Sequence, residues 1–403
     1  MKKTSTDAAD TIHHDDRMET RLLHVERHPE ENFGIVNPPL YRASTVVFPS
    51  LAALRYANAH PYEGIYYGRH GTPTTMAFEN AMAELEGADG AVVTSSGLAA
   101  IVISLLAFTR QGDHVLIADN VYGPTRHFAH QFLERFGVGV HFFDSTGNDQ
   151  LSALLTAQTR VVFLESPGSL TFEMSDMSAL AATVHQRSSA RVLVDNTWAT
   201  PVYFRPLAHG ADVCIHAATK YITGHSDAML GVVSACGDDY LAIKRSTALI
   251  GNCPGAEECQ LGLRGLRTLG IRLERHYASA RKIADWLWQQ EAVARVLYPP
   301  HPRDTGHQRW KRDFSGGSGL LGIALKAVPQ AQVDAFVESL RLFGIGYSWG
   351  GYESLVLPVD PAALRTATPW LDDAAPLVRL HIGLDHPDDL IADLDRAMTH
   401  LRR

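Results

Sequence analysis

Arg191-Val-Leu-Val-Asp195-Asn-Thr-Trp198 is the stretch from which the architecture of this chain is read. Its apolar residues, Val192 to Val194, are too few for a helix and unbroken rather than alternating, as in a strand buried on both faces. Runs of the same kind recur at Ala91–Thr94, His114–Ala118, Val140–Phe143, Arg160–Leu164, Val213–His216 and Gly231–Ala235. Amphipathic stretches such as Asp176–Arg187 lie between them. Strands alternating with helical patterns predict a mainly parallel sheet covered on both faces, within one α/β domain of roughly 200 residues. Asp195 ends its run at the edge where open α/β sheets bind ligands.

Around this block the chain changes character twice. Residues 1 to about 60 are charged, carry Pro38-Pro39 and show little periodicity, so 1–68 is read as an N-terminal arm and 69–264 as the large domain. Past Arg264 a long helical pattern runs from Gly265 to Gln290, followed by strand-like Ala294–Tyr298 and Gly319–Leu325. A helix over Gln330–Phe343, a strand at Leu377–Ile382 and a last helix from Pro387 complete a smaller α+β domain, 265–403. Asp388 and Asp389 suit the first turn of that last helix, where the macrodipole favours negative charge.

Composition narrows the function classes. The 403 residues include 36 Lys+Arg and 44 Asp+Glu, a net charge of −8, with 45% apolar and 20% charged residues. That is an ordinary globular mix with no basic stripe for nucleic acid. Cys214, Cys236, Cys253 and Cys259 form no CxxC pair and are expected as free thiols in a reducing, cytoplasmic setting. Two lysines near the start have no apolar core behind them, so no signal peptide is read, and His13-His14-Asp15-Asp16 is taken as polar tail. The uncharged stretch Gly90–Thr109 is broken by Thr94-Ser95-Ser96-Gly97 and reads as strand, turn and buried helix, not as a membrane span. His127 and His130 have helical spacing but no third ligand, and no metal site is expected. Ser315-Gly-Gly-Ser-Gly319 precedes a strand and is not a dinucleotide loop; no GxSxG elbow occurs.

The chemistry-bearing candidates are few. Lysine occurs seven times, and Lys220 is the only one between Lys3 and Lys244, following an apolar strand with no other formal charge from Asp212 to Asp227. An amine there has a lowered pKa, the condition for a Schiff-base lysine; a lysine snorkelling from a strand end fits the sequence equally well. Asp195 suits a protonated heterocyclic nitrogen, or it merely caps a turn. Val92-Val-Thr-Ser-Ser-Gly97-Leu98 presents a small-residue turn and a helix start to an anion, a common turn in itself. Tyr122 follows another strand and could stack on a planar ring, or stand as a turn aromatic. Tyr67 and Arg69, in Tyr66-Tyr-Gly-Arg-His-Gly-Thr72, pair a hydroxyl with a guanidinium suited to phosphate. Arg379 interrupts the apolar strand Leu377-Val-Arg-Leu-His-Ile382 and requires either an internal acid or a carboxylate ligand.

Together these pieces resemble the pyridoxal-phosphate-dependent Cys/Met metabolism family, from about residue 18 to the C-terminus. The resemblance rests on YGRHGTPT from Tyr67, SSGLAA from Ser95, FLESPGS from Phe163, VDNTWATP from Val194 and AATKYITGHSDAMLG from Ala217. GLRTLGIRL from Gly265, YSWGGYES from Tyr347 and RLHIGLD from Arg379 follow in order. It implies pyridoxal phosphate (PLP) as cofactor, a fold-type-I, aspartate-aminotransferase-like subunit, and active dimers paired into a tetramer, with the N-terminal arm 1–68 contacting a neighbouring subunit. It also implies roles: Lys220 carries the cofactor as a Schiff base and serves as the proton-abstracting base. Asp195 pairs with the ring nitrogen and Tyr122 stacks on the ring. Gly97, Leu98 and Thr219 hold the phosphate, joined by Tyr67 and Arg69 from a neighbouring subunit. Arg379 binds the substrate carboxylate, helped by Ser348.

Departures from the broad family pattern point to its β-eliminating branch. Ala217 stands where many members have a serine, and Pro124 where methionine γ-lyases have a cysteine. Tyr347 and Trp349 replace an acid and a leucine of γ-eliminating members, which predicts a narrower, more apolar substrate pocket. The implied reaction is β-elimination of a sulfur amino acid, L-cystathionine, in methionine biosynthesis. γ-Eliminating or γ-replacing relatives, a cysteine-conjugate β-lyase and a non-catalytic regulator remain alternatives.

Overall fold

The computed structural model describes residues 16–368, 370 and 375–401. His13, His14 and Asp15 of the polar tail, and the first fifteen residues of the arm, lie outside them.

The apolar runs become β1 (Gly90–Thr94), β2 (His114–Ala118), β3 (Gly139–Phe143), β4 (Thr159–Glu165), β5 (Arg191–Asp195), β6 (Val213–His216) and β7 (Gly231–Ala235). They form one seven-stranded sheet in the order β1-β7-β6-β5-β4-β2-β3. β7 runs against β1 and β6, while β6, β5, β4, β2 and β3 pair in parallel. Val161 to Leu164 and Val192 to Val194, in the middle of the sheet, are wholly buried. Each such side chain contributes about 1.5–3 kcal/mol by leaving water, which explains the continuous apolar runs. A helix follows most of these strands. Ser96 caps the helix Gly97–Phe108 through Ala99 N–H at 3.1 Å, and Asp176 caps Met177–Arg187 through Ala179 N–H at 3.2 Å. The tempting Gly90–Thr109 stretch is therefore β1 and a helix, and no helix among the described residues is long and apolar enough to cross a membrane.

A second sheet is built from β8 (Val293–Leu297), β9 (Leu320–Leu325), β10 (Phe343–Ile345), β11 (Ser354–Val359) and β12 (Leu377–His381), in the order β10-β11-β12-β9-β8. The bounds of two helices differ from the sequence reading. The long helix spans Ala256–Leu287, not Gly265–Gln290, so the 264/265 division falls inside it. Glu257 and Glu258 occupy its first turn, the favoured place for acids. The helix beginning at Gln330 stops at Ser339, and Phe343 starts β10 instead, because Leu340 already has extended backbone. Part of the arm also packs on its own chain. Met18–His24 is helical, Leu22 and Val25 are buried, and Arg267 donates to Leu22 O (2.9 Å) and Val25 O (2.7 Å).

Candidate active site

At the carboxyl edge of the large sheet, successive strands deliver side chains to one cavity of about 320 Å³. β1 leads into Ser96, Gly97 and Leu98; β2 leads to Tyr122; β4 ends in Glu165 and β5 in Asp195; the turn after β6 carries Thr219 and Lys220. Leu320 and Arg379 of the second sheet and Trp349 from the turn between β10 and β11 close the cavity. Gly97 is required locally: an added Cβ would collide with Ala217, so only a bare backbone lets the two turns touch. The Gly97 and Leu98 N–H groups precede the first bonded N–H of this helix, Ala99 being taken by the Ser96 cap, and such a helix start suits an anion.

Lys220 lies half-buried, its Nζ donating to Ser348 Oγ at 2.6 Å and 5.3 Å from the centre of the Trp349 ring. Burial, with help from the nearby Arg379 and against the pull of Asp195, lowers its amine to about 8. Asp195 is buried, and Thr197 donates both its N–H (3.0 Å) and its hydroxyl (2.5 Å) to Oδ1. Burial still pushes this carboxyl upward against those bonds, the state of a buried acid that lacks a full cationic partner. Arg379, also buried, donates through Nη2 to Ser348 O (2.9 Å) and Gly346 O (3.4 Å), while its Nε has no partner. Its neighbours are thus carbonyls, and the guanidinium keeps capacity for a carboxylate.

Gly97, Leu98, Tyr122, Asp195, Thr219, Lys220, Trp349 and Arg379, singled out from sequence, all line this cavity, and Ser348 touches Lys220. Three others do not line it. Tyr347 is 86% exposed, so within this chain the narrowing falls to Trp349 alone. Tyr67 is 41% exposed, and Arg69 donates to Ala248 O at 3.1 Å in a separate crevice. Thr219 already gives its hydroxyl to Leu230 O at 3.1 Å, so that hydrogen must turn before it can reach an anion. Glu165 received no role from sequence. It is paired in register with Asp195 across β4 and β5, accepts the Tyr122 N–H at 2.7 Å, and is held well above the usual carboxylate range by burial and by Asp195. Its signal was available, since Glu165, like Asp195, is an acid ending an apolar strand at the ligand-binding edge.

Fold and site together define a PLP-dependent enzyme. The chain belongs to the Cys/Met metabolism PLP-dependent enzyme family, which matches residues 19–399. It is 41% identical to cystathionine β-lyase MetC of Escherichia coli strain K12 over 96% of this chain and 99% of that one. It is 42% identical to a cystathionine β-lyase of Bordetella avium, covering 94% and 97% respectively. The crystal structure of metB from Corynebacterium glutamicum superposes with a TM-score of 0.88 at 29% identity, covering 96% of this chain and 99% of that one.

The residues present fit that cofactor. A lysine amine lowered to about 8, a buried carboxylate short of a cation and the helix start at Gly97 and Leu98 meet in one cavity. These match, in turn, an aldehyde, a protonated ring nitrogen and a phosphate.

Proposed function

We propose that the chain is a carbon–sulfur lyase that converts L-cystathionine and water to homocysteine, pyruvate and ammonia. The observation that carries this reading is the convergence of Lys220, Asp195 and Arg379 on a single cavity walled by Trp349. The cystathionine β-lyase relatives at 41% and 42% identity support it. PLP supplies the electron sink for charge developing at the substrate Cα.

The protein supplies the rest. Lys220 would hold the cofactor and, once freed from it, take the Cα proton at Nζ, where a lowered basicity keeps the amine available; a positioned base is worth roughly 10²–10⁴-fold. Asp195 would keep the ring nitrogen protonated, and Tyr122 would stack on the ring. Gly97, Leu98 and Thr219 would hold the phosphate. Arg379, which lines the cavity, would fix the substrate carboxylate and so aim the Cα–H bond at Lys220. Ser348 would steer Nζ through its 2.6 Å bond. Tyr67 and Arg69, outside this chain's cavity, would serve a neighbouring subunit's site in a dimer or a tetramer of two active dimers. A cytoplasmic setting in methionine biosynthesis agrees with the free cysteines.

Product identification tests the reaction. Purified holoenzyme given L-cystathionine is expected to release pyruvate and homocysteine in equal amounts. Release of 2-oxobutyrate and cysteine would overturn the β assignment in favour of a γ-eliminating relative, which would share the same cofactor residues.

A further inference from the structure

The turn Gly346–Gly350 carries two of the groups that face the reacting centre, Ser348 and Trp349, yet its own backbone is unfavourable. Ser348 sits at φ +73° and Gly350 at φ +90°, and the first of these is a left-handed conformation that L side chains rarely adopt. A Cβ on Gly350 would stand 2.8 Å from Tyr221 N and 2.9 Å from Lys220 Cα, so the turn presses on the backbone of the lysine itself. Something must hold it there.

Two side chains of β12 do so. Arg379 and His381, two residues apart on one strand, project from the same face. Arg379 donates to Ser348 O at 2.9 Å. His381 lies at 0% exposure; its Nε2 meets Gly350 N–H at 3.1 Å and its Nδ1 meets Glu353 O at 3.0 Å. A carbonyl oxygen can only accept and an N–H can only donate, so these partners fix the ring as the neutral tautomer with hydrogen on Nδ1. Burial, together with the neighbouring His276, Arg379 and Lys220, disfavours the charged ring and agrees with that state.

We infer that His381 is a positioning residue of the lyase: its neutral ring holds the Gly350 N–H and so keeps Ser348 against Lys220 and Trp349 against the substrate. The inference rests on the functional reading above. It assigns a division of labour on β12, in which Arg379 meets the substrate carboxylate while His381 maintains the turn without touching substrate.

Two variants separate this role from simple packing. His381→Asn retains an amide near Nδ1 for the Glu353 carbonyl and withdraws the acceptor from Gly350; His381→Gln reaches the Nε2 position and restores it. Hydrogen exchange of the peptide spanning residues 347–352, measured on the protein without substrate, is expected to speed about tenfold in His381→Asn and to stay near the parent rate in His381→Gln, as loss and retention of one hydrogen bond require. In the holoenzyme kcat/KM for cystathionine should fall about tenfold in the first variant and recover in the second. Because His381 acts in part through Ser348, the double variant His381→Asn with Ser348→Ala should lose less than the sum of the two single losses. Parent-like exchange and turnover in His381→Asn, or fully additive losses with Ser348→Ala, would overturn the inference. Borohydride trapping of the cofactor on Lys220 in the same preparations tests the reading beneath it. Failure to trap in the parent enzyme strikes that reading, whereas normal trapping with unaltered exchange strikes the positioning role alone.

Discussion

An amine with a pKa of about 8 instead of 10.5 has a consequence in pH. Lys220 loses its charge as pH rises through 8, and only the uncharged form attacks an aldehyde. The rate at which cofactor-free protein captures PLP should therefore climb up to about pH 8 and level off beyond it. Stopped-flow absorbance follows this directly; a rate still rising toward pH 10.5 would mean that the lysine behaves as if in water. At this scale the sequence was informative where a charge broke an apolar context. Asp195 and Arg379 carry charge within largely apolar strands and Lys220 follows another, and that mismatch marked them. His381 gave no such mark, since a histidine within a strand has an unexceptional core reading. Its role depends on the Gly350 N–H, thirty-one positions away, which no local pattern reveals.

At the scale of elements, the segment carrying Lys220 is gripped from below by the long helix Ala256–Leu287. Arg272, buried on that helix, donates to Tyr221 O at 2.7 Å and Gly265 O at 2.8 Å, and Gly265 lies directly under Ile222 and Thr223. A Cβ at Gly265 would overlap the Ile222 carbonyl and stand 2.9 Å from Thr223 Cα. Gly265→Ala is thus expected to cost about 1–3 kcal/mol by overpacking. It should also weaken PLP affinity, because the displaced residues follow Lys220 directly. Thermal denaturation with and without cofactor reads both effects; an unchanged Tm would show that helix and turn do not touch as described. The strands of the large sheet were legible because burial on both faces leaves a continuous apolar run. β10 and β11 were not. β10 has three residues, one of them Gly344, and β11 contains Pro358, which normally argues against a strand. Pro358, which has no N–H to donate, is tolerated because β10 pairs only with Ser354 to Val356, so that on this side no strand faces Pro358.

For the whole molecule, a single chain leaves Tyr67 and Arg69 off its own cavity while Phe33, Ile35, Val36 and Val47 of the arm are largely exposed. Such apolar exposure suits a contact with a second copy, and the functional reading requires one. Mixing Lys220→Ala with Arg69→Ala subunits, each inactive alone, should regenerate activity, since a hybrid dimer contains one site with both residues intact. No recovery after verified subunit exchange would place Arg69 in its own chain's site or outside any site.

Borohydride reduction of the holoenzyme followed by peptide mapping bears most directly on the central claim. The peptide containing Lys220 is expected to carry the reduced pyridoxyl group, with Lys244 unlabelled and Lys220→Ala yielding no labelled lysine. A pyridoxyl group on any other lysine, or one that persists in Lys220→Ala, would contradict the account.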